Sequence, residues 1–270
     1  MKSVLLYIND DTGLEARLQA ALDLTRAIGG HLNCLRANPY NPQMAFDGVT
    51  GMSVVYDVAK LTREADEKLR SYIEGRMADE DVPWDYEEAN ASPARGLARH
   101  SALADIMVLS SASGDRNNVL PVGILGDVLF NTQVPALVQP DDMKKFDATG
   151  TAIVAWNGSF ESGNALRAAV PLLQLASAVH IVTVDEDKDH DLPPLAASEY
   201  LSRHGITSEI HSMSAKKPSV QEVLLSTIDA LKASYLVMGA YGHSRAREFL
   251  FGGVTRSLFL DCPVPLIVSR

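Results

Sequence analysis

Segments of one design recur at a fixed spacing along the 270 residues, and this recurrence constrains the fold more than any other feature. Gly123 and Gly252 stand 129 positions apart, and the same offset separates Ser113 from Gly242 and Ser110 from Gly239. It aligns "ADIMVLSSASGD" with "ASYLVMGAYGHS" and the apolar helix candidate "GILGDVLFN" with "GGVTRSLFL". A closing apolar stretch follows each, "VPALVQ" (Val134 to Gln139) and "VPLIVS" (Val264 to Ser269). The openings also correspond: "SVLLYIND" from Ser3 and "TAIVAWNG" from Thr151 are apolar strands ending in Asn9 and Asn157. Two tandem copies of one domain are therefore expected, residues 1–140 and 150–270, joined by the polar stretch "PDDMKKFDATG" (Pro140 to Gly150).

Inside the second copy, strand and helix patterns alternate. Short apolar runs at Ala152 to Ala155, Val179 to Val184, Tyr235 to Met238 and Leu266 to Val268 read as buried strands, with a further candidate at Ile206 to Ile210. Helical periodicity fills the intervals: "ALRAAVPLLQLA" behind Ser159 or Ser162, a short helix ending at His204-Gly205, and "VQEVLLSTIDALKA" behind Pro218-Ser219. Five strands separated by helices predict an α/β fold, each copy a five-stranded parallel sheet with helices on both faces. The two sheets are expected to stay distinct while packing into one body, although the apolar closing strands could pair across the halves. The first copy carries a longer interval between Asn9 and Ser110, and the surplus around "NPYNPQMAFDGVTGMS" is too polar for a core element and reads as a loop or flap.

Net charge is −10, which argues against a general nucleic-acid or anionic-membrane surface. Cys34 and Cys262 are too few for a disulfide framework, lack zinc spacing, and read as buried small hydrophobes. Met1-Lys2 leads straight into "VLLYI" without signal-peptide architecture, and no apolar run reaches the roughly 18 residues of a membrane span, so a cytoplasmic location is expected.

Ligands of open parallel sheets bind beyond the carboxyl ends of the strands, where the winding reverses. In the second copy the loops there begin with Asn157-Gly158-Ser159 and Gly239-Ala240-Tyr241-Gly242. Gly239, Gly242 and Gly252 form G-x2-G-x9-G, whose first two glycines let backbone amides approach an anion without a Cβ in the way. Gly252-Gly253 opens a helix whose N-terminus favours phosphate, and Thr255 adds a hydroxyl. A plain tight turn is the competing reading of these glycines.

The second copy resembles the universal stress proteins. Met238-Gly239 at the end of the fourth strand, Gly242, Gly252, "VPLIV" and "VAWNGS" carry the resemblance. It implies the adenine-nucleotide alpha-hydrolase-like architecture, strand order 3-2-1-4-5, and an ATP or other adenine-nucleotide ligand, with or without magnesium. The implied contacts are Asn157, Thr183, Met238, Gly239, Gly242, His243, Gly252, Gly253 and Thr255. The sequence departs from the family pattern twice: Gly253 stands where a hydroxyl residue is usual, and Asn157 where an acid usually faces adenine. In the first copy Ser110 and Ser113 replace the glycines, Ile124 matches Gly253, and Asp115 and Asp127 bring negative charge. One competent site, in the second copy, is expected.

Other constellations carry less. "DEDKDHD" (Asp185 to Asp191) fails an EF-hand count, with His190 at position six and Ala196 at twelve. His243, Arg245 and Arg247 are phosphate contacts or exposed loop residues, and Trp84 with Tyr86 suits a strand edge. No catalytic triad, Walker lysine or placed carboxylate is visible, so no catalytic residue and no metal ligand is assigned, and any ATP hydrolysis is expected to be slow. The resemblance implies a stress-response sensor or regulator. The rivals are a nucleotide-free scaffold acting through dimerisation or a protein partner, and an enzyme using flavin or adenylate on a similar sheet.

Overall fold

The computed structural model describes residues 1–38, 52–110, 122–185, 192–214, 219–240 and 253–270. The first half runs β1 (Ser3–Ile8), α1 (Leu14–Ile28), β2 (His31–Ala37), α2 (Met52–Met77), β3 (Trp84–Ala89), α3 (Pro93–His100), β4 (Ile106–Ser110), α4 (Val122–Asn131) and β5 (Ala136–Gln139). The second runs β6 (Thr151–Trp156), α5 (Phe160–Leu173), β7 (Ala178–Asp185), α6 (Pro194–Arg203), β8 (Glu209–Ser214), α7 (Val220–Leu231), β9 (Tyr235–Gly239), α8 (Gly253–Asp261) and β10 (Leu266–Ser269).

Local chemistry sets several of these boundaries. Ser219 Oγ accepts from Glu222 N while Glu222 Oε2 accepts from Ser219 N, a capping box that starts α7. The third strand of the second half begins at Glu209, three residues beyond the start expected from the apolar run at Ile206. Gly205 adopts φ 75° and Ile206 N donates to Leu201 O, so the chain completes its helical ending before entering the sheet. Ile206 is buried as a plug beneath that turn rather than as a strand residue. The surplus of the first copy lies outside the described residues, apart from Asn38, just after β2, and Met52 and Ser53, which begin α2.

Both halves have the order 3-2-1-4-5, as β3-β2-β1-β4-β5 and β8-β7-β6-β9-β10, with parallel pairing throughout each. The sheets are not distinct, which corrects the expectation of two. β5 and β10 pair antiparallel, Leu266 opposite Val138, Ile267 opposite Leu137 and Val268 opposite Ala136, and close one ten-stranded sheet. The physical reason is that both strands are buried on both faces, so neither could leave its outer edge in water. The core is continuous across the seam: Leu137 and Ile267 join one hydrophobic layer, and Ala136, Val138, Leu266 and Val268 the other. The connecting segment is anchored as well, with Phe146 buried against Tyr235 at 5.6 Å between ring centroids and its amide donating to Asp23 Oδ2 at 3.0 Å.

The outermost strands are polar instead. β3 carries Asp85, Glu87 and Glu88, and β8 carries Glu209 and His211. Trp84 and Tyr86 pack along the β3 edge of the core, as their sequence context suggests. Cys34 and Cys262 are buried in the two layers, where desolvation pushes their thiols up to about 12 and about 11. Among the described residues no helix is long and apolar enough to cross a membrane.

Candidate site at the carboxyl ends of β6 and β9

β6 and β9 are parallel neighbours, paired from Ala152–Tyr235 to Ala155–Met238, and the winding reverses between them. The residue after β6 is Asn157, exposed, whose Oδ1 accepts from Ser159 N at 3.2 Å. Gly158 takes φ 73°, which lets the chain turn sharply into α5, and Ser159 Oγ caps that helix by accepting from Ser162 N at 3.2 Å. Thr183 lies level with Trp156 on β7 and is 2 % exposed. Its Oγ1 is buried without a hydrogen-bond partner among the described residues. An unmade bond of this kind costs about 1–3 kcal/mol, so the position calls for a ligand or water group to complete it.

Met238 is buried at the end of β9, and Ala240 N donates to Ser269 O at 2.9 Å, which holds the strand end against β10. Gly239 has a packing reason for lacking a side chain. A Cβ there would lie 2.5 Å from the backbone of Glu161 and Ser162, in the first turn of α5. The first copy solves the same close approach in the opposite way. Ser110 occupies the strand position, and Gly13, at the start of α1, is the residue whose Cβ would run into the Asp141 carboxylate at 2.3 Å and the Ser110 hydroxyl at 2.6 Å. The glycine has moved from strand to helix.

Gly253 begins α8 with none of the described residues near its Cβ position, and Thr255 follows in the same turn, half-buried. Gly242, His243 and Gly252, with Arg245 and Arg247, lie outside the described residues, as does the acidic stretch 186–191. The structure therefore brings Asn157, Thr183, Met238 and Gly239 to the ends of three adjacent strands.

In the first copy the matching ends of β1 and β4 are filled by the protein itself, which sequence reasoning did not anticipate. Arg17, from α1, is 1 % exposed. Its Nε donates to Tyr7 O at 2.7 Å, Nη1 to Asp11 Oδ1 at 3.1 Å and to Ser110 Oγ, and Nη2 to Asp11 Oδ2 at 3.2 Å and Asn9 O at 3.3 Å. Asn9, the counterpart of Asn157, donates to Asp11 Oδ2 at 2.9 Å and accepts from Arg36 Nη1 at 2.6 Å. Arg36 continues to Asp66 at 3.1 Å. Ser110 was the available signal, since a hydroxyl at the glycine position supplies an acceptor for the guanidinium.

A doubly wound α/β protein in two joined copies, with the winding of the second reversing between β6 and β9, is the class these features define. Residues 149–270 match the universal stress protein family model. A curated universal stress protein of Synechocystis is 27% identical over 148 residues, and the match spans 50% of this chain and 47%, about half, of that relative. Among solved structures, a universal stress protein from Archaeoglobus fulgidus DSM 4304 superposes with a TM-score of 0.75 at 16% identity, covering 99% of this chain and 98% of its own. A functionally unknown protein from Pseudomonas aeruginosa PAO1 gives 0.58 at 14% identity, covering 100% and 92%. At such identities these two speak for the fold alone. Residues 149–270 are thus similar to the universal stress protein family, and the whole chain shares the fold of the two-copy neighbour.

Proposed function

We propose that the protein binds ATP or another adenine nucleotide at the carboxyl ends of β6 and β9 and acts as a stress-response sensor or regulator. The observation that carries this reading is the buried hydroxyl of Thr183, unpartnered among the described residues, beside the Asn157 turn. Asn157 offers an amide to a base or ribose, and the start of α8, with Gly253 and Thr255, offers backbone amides and a hydroxyl to phosphate. Gly242, His243 and Gly252 complete the proposed site. On this reading residues 150–270 are the competent copy and residues 1–140 a degenerate one, because the Arg17–Asp11 pair already fills the matching crevice.

The residues assigned here hold a nucleotide in ground state and transition state alike, and uniform binding does not accelerate chemistry. Any hydrolysis is therefore slow, far below about 10 per second. Calorimetry with ATP is expected to give one site per chain, lost in Gly252→Val and retained in Ser113→Val. Two equal sites, undiminished binding in Gly252→Val, or phosphate release at several turnovers per second would each overturn the corresponding part of the reading. No ATP binding at all would leave the nucleotide-free scaffold as the better account.

A further inference from the structure

Two histidines and a glutamate meet on the two outer strands of the second copy, on the face of the sheet opposite Thr183. His180 on β7 is in register with Glu209 on β8, and His211, two residues further along β8, returns to the same face. His180 Nδ1 lies 3.0 Å from His211 Nε2, while Glu209 Oε2 is 3.4 Å from His180 Nδ1 and 3.9 Å from His211 Nε2. Among the described residues this is the single group of three such side chains with ligand atoms within 4.8 Å of one another.

We propose that His180, His211 and Glu209 form a binding site for a divalent late first-row cation, zinc above all. The size of the triangle supports this. Zinc bonds nitrogen and carboxylate oxygen at about 2.0–2.2 Å in tetrahedral geometry, which spaces neighbouring donors about 3.4 Å apart. The three measured separations bracket that value, so small side-chain rotations suffice to seat the ion. Two imidazoles with one carboxylate suit zinc by ligand type, whereas calcium and magnesium demand oxygen sets. The supports are rigid, since both strands are held in the sheet ladder. Access is also provided: β8 is the outermost strand, and Glu209 remains 68% exposed while the imidazoles are 13% and 23% exposed. Three protein ligands leave the fourth position of a tetrahedral ion for water or a partner's side chain.

His180 and His211 project from the face of the sheet opposite Thr183, so occupancy of this site and of the proposed nucleotide site are separable. Titration of the full chain with zinc chloride alone, followed by calorimetry, is expected to show one ion per chain, with proton release and weaker binding on acidification. Cobalt substitution should give the intense visible bands of a tetrahedral centre. Loss of outer-sphere support alone costs metal sites roughly 10–100-fold, so His180→Ala and His211→Ala are each expected to lose at least that much, and Glu209→Gln to lose roughly tenfold. His204→Ala, on α6's ending, should change nothing. Circular dichroism of each variant guards against misfolding, and His211→Gln supplies a milder replacement. Absence of binding in the wild type, or equal affinity in folded His180→Ala or His211→Gln, would overturn the proposal.

Discussion

Arg17→Ala is expected to lower folding stability by about 3–5 kcal/mol, the usual cost of leaving half of a buried ion pair behind. Arg17 is 1 % and Asp11 3 % exposed in their side chains, so neither charge can fall back on water. The guanidinium also satisfies the carbonyls of Tyr7 and Asn9 and the Ser110 hydroxyl, all of which the variant strands. Urea unfolding measures the loss directly. The companion variant Arg17→Met with Asp11→Asn is expected to recover part of it, because the two charges of the pair are removed together and the amide can still accept from Gly13 N, while the carbonyls of Tyr7 and Asn9 stay unmet. A cost below about 1 kcal/mol for Arg17→Ala would place the pair with ordinary surface ion pairs and refute its role as the filling of this crevice.

Gly239→Val is expected to destabilise the protein before any ligand is added. The new Cβ would sit 2.5 Å from backbone atoms of Glu161 and Ser162, which cannot rotate away. Overpacking of this kind costs about 1–3 kcal/mol, and relief requires the first turn of α5 to move, carrying the Ser159 cap with it. Nucleotide affinity should fall in step, since Asn157 and Gly158 lie immediately upstream. An apo protein of unchanged stability in Gly239→Val would show that the glycine serves anion approach alone.

Much of this architecture was legible because repeats and periodicity are properties of the chain itself. The 129-residue offset is written in the chain, and the Pro218-Ser219 helix start and the four short apolar strands of the second copy are local signals. Ile206 misled because an apolar residue beneath a helix ending is chemically indistinguishable from one starting a strand. Arg17 sits among helix residues where a cation ordinarily faces solvent, and only the fold brings Asp11 and Ser110 around it. His180 and His211 are 31 positions apart on separate strands, so no motif spacing announces them. Of the candidate nucleotide site, the strand ends were legible from the switch-point rule, whereas the swap of glycine between Gly13 and Gly239 needed the approach of helix to strand in space.

The antiparallel seam of β5 and β10 has a consequence for behaviour on dilution. A single copy would present its apolar closing strand as an open edge and could satisfy it only by finding another molecule, with a stability set by concentration. Here the complementary strand is tethered, so its effective concentration is fixed by the short connection from Pro140 to Gly150, on the order of millimolar for a flexible link of that length. The edges that remain, β3 and β8, are lined with carboxylates and imidazole, which discourage further strand addition. The chain thus carries its own partner, and its folding midpoint should stay constant across dilutions that would dissociate two separate halves.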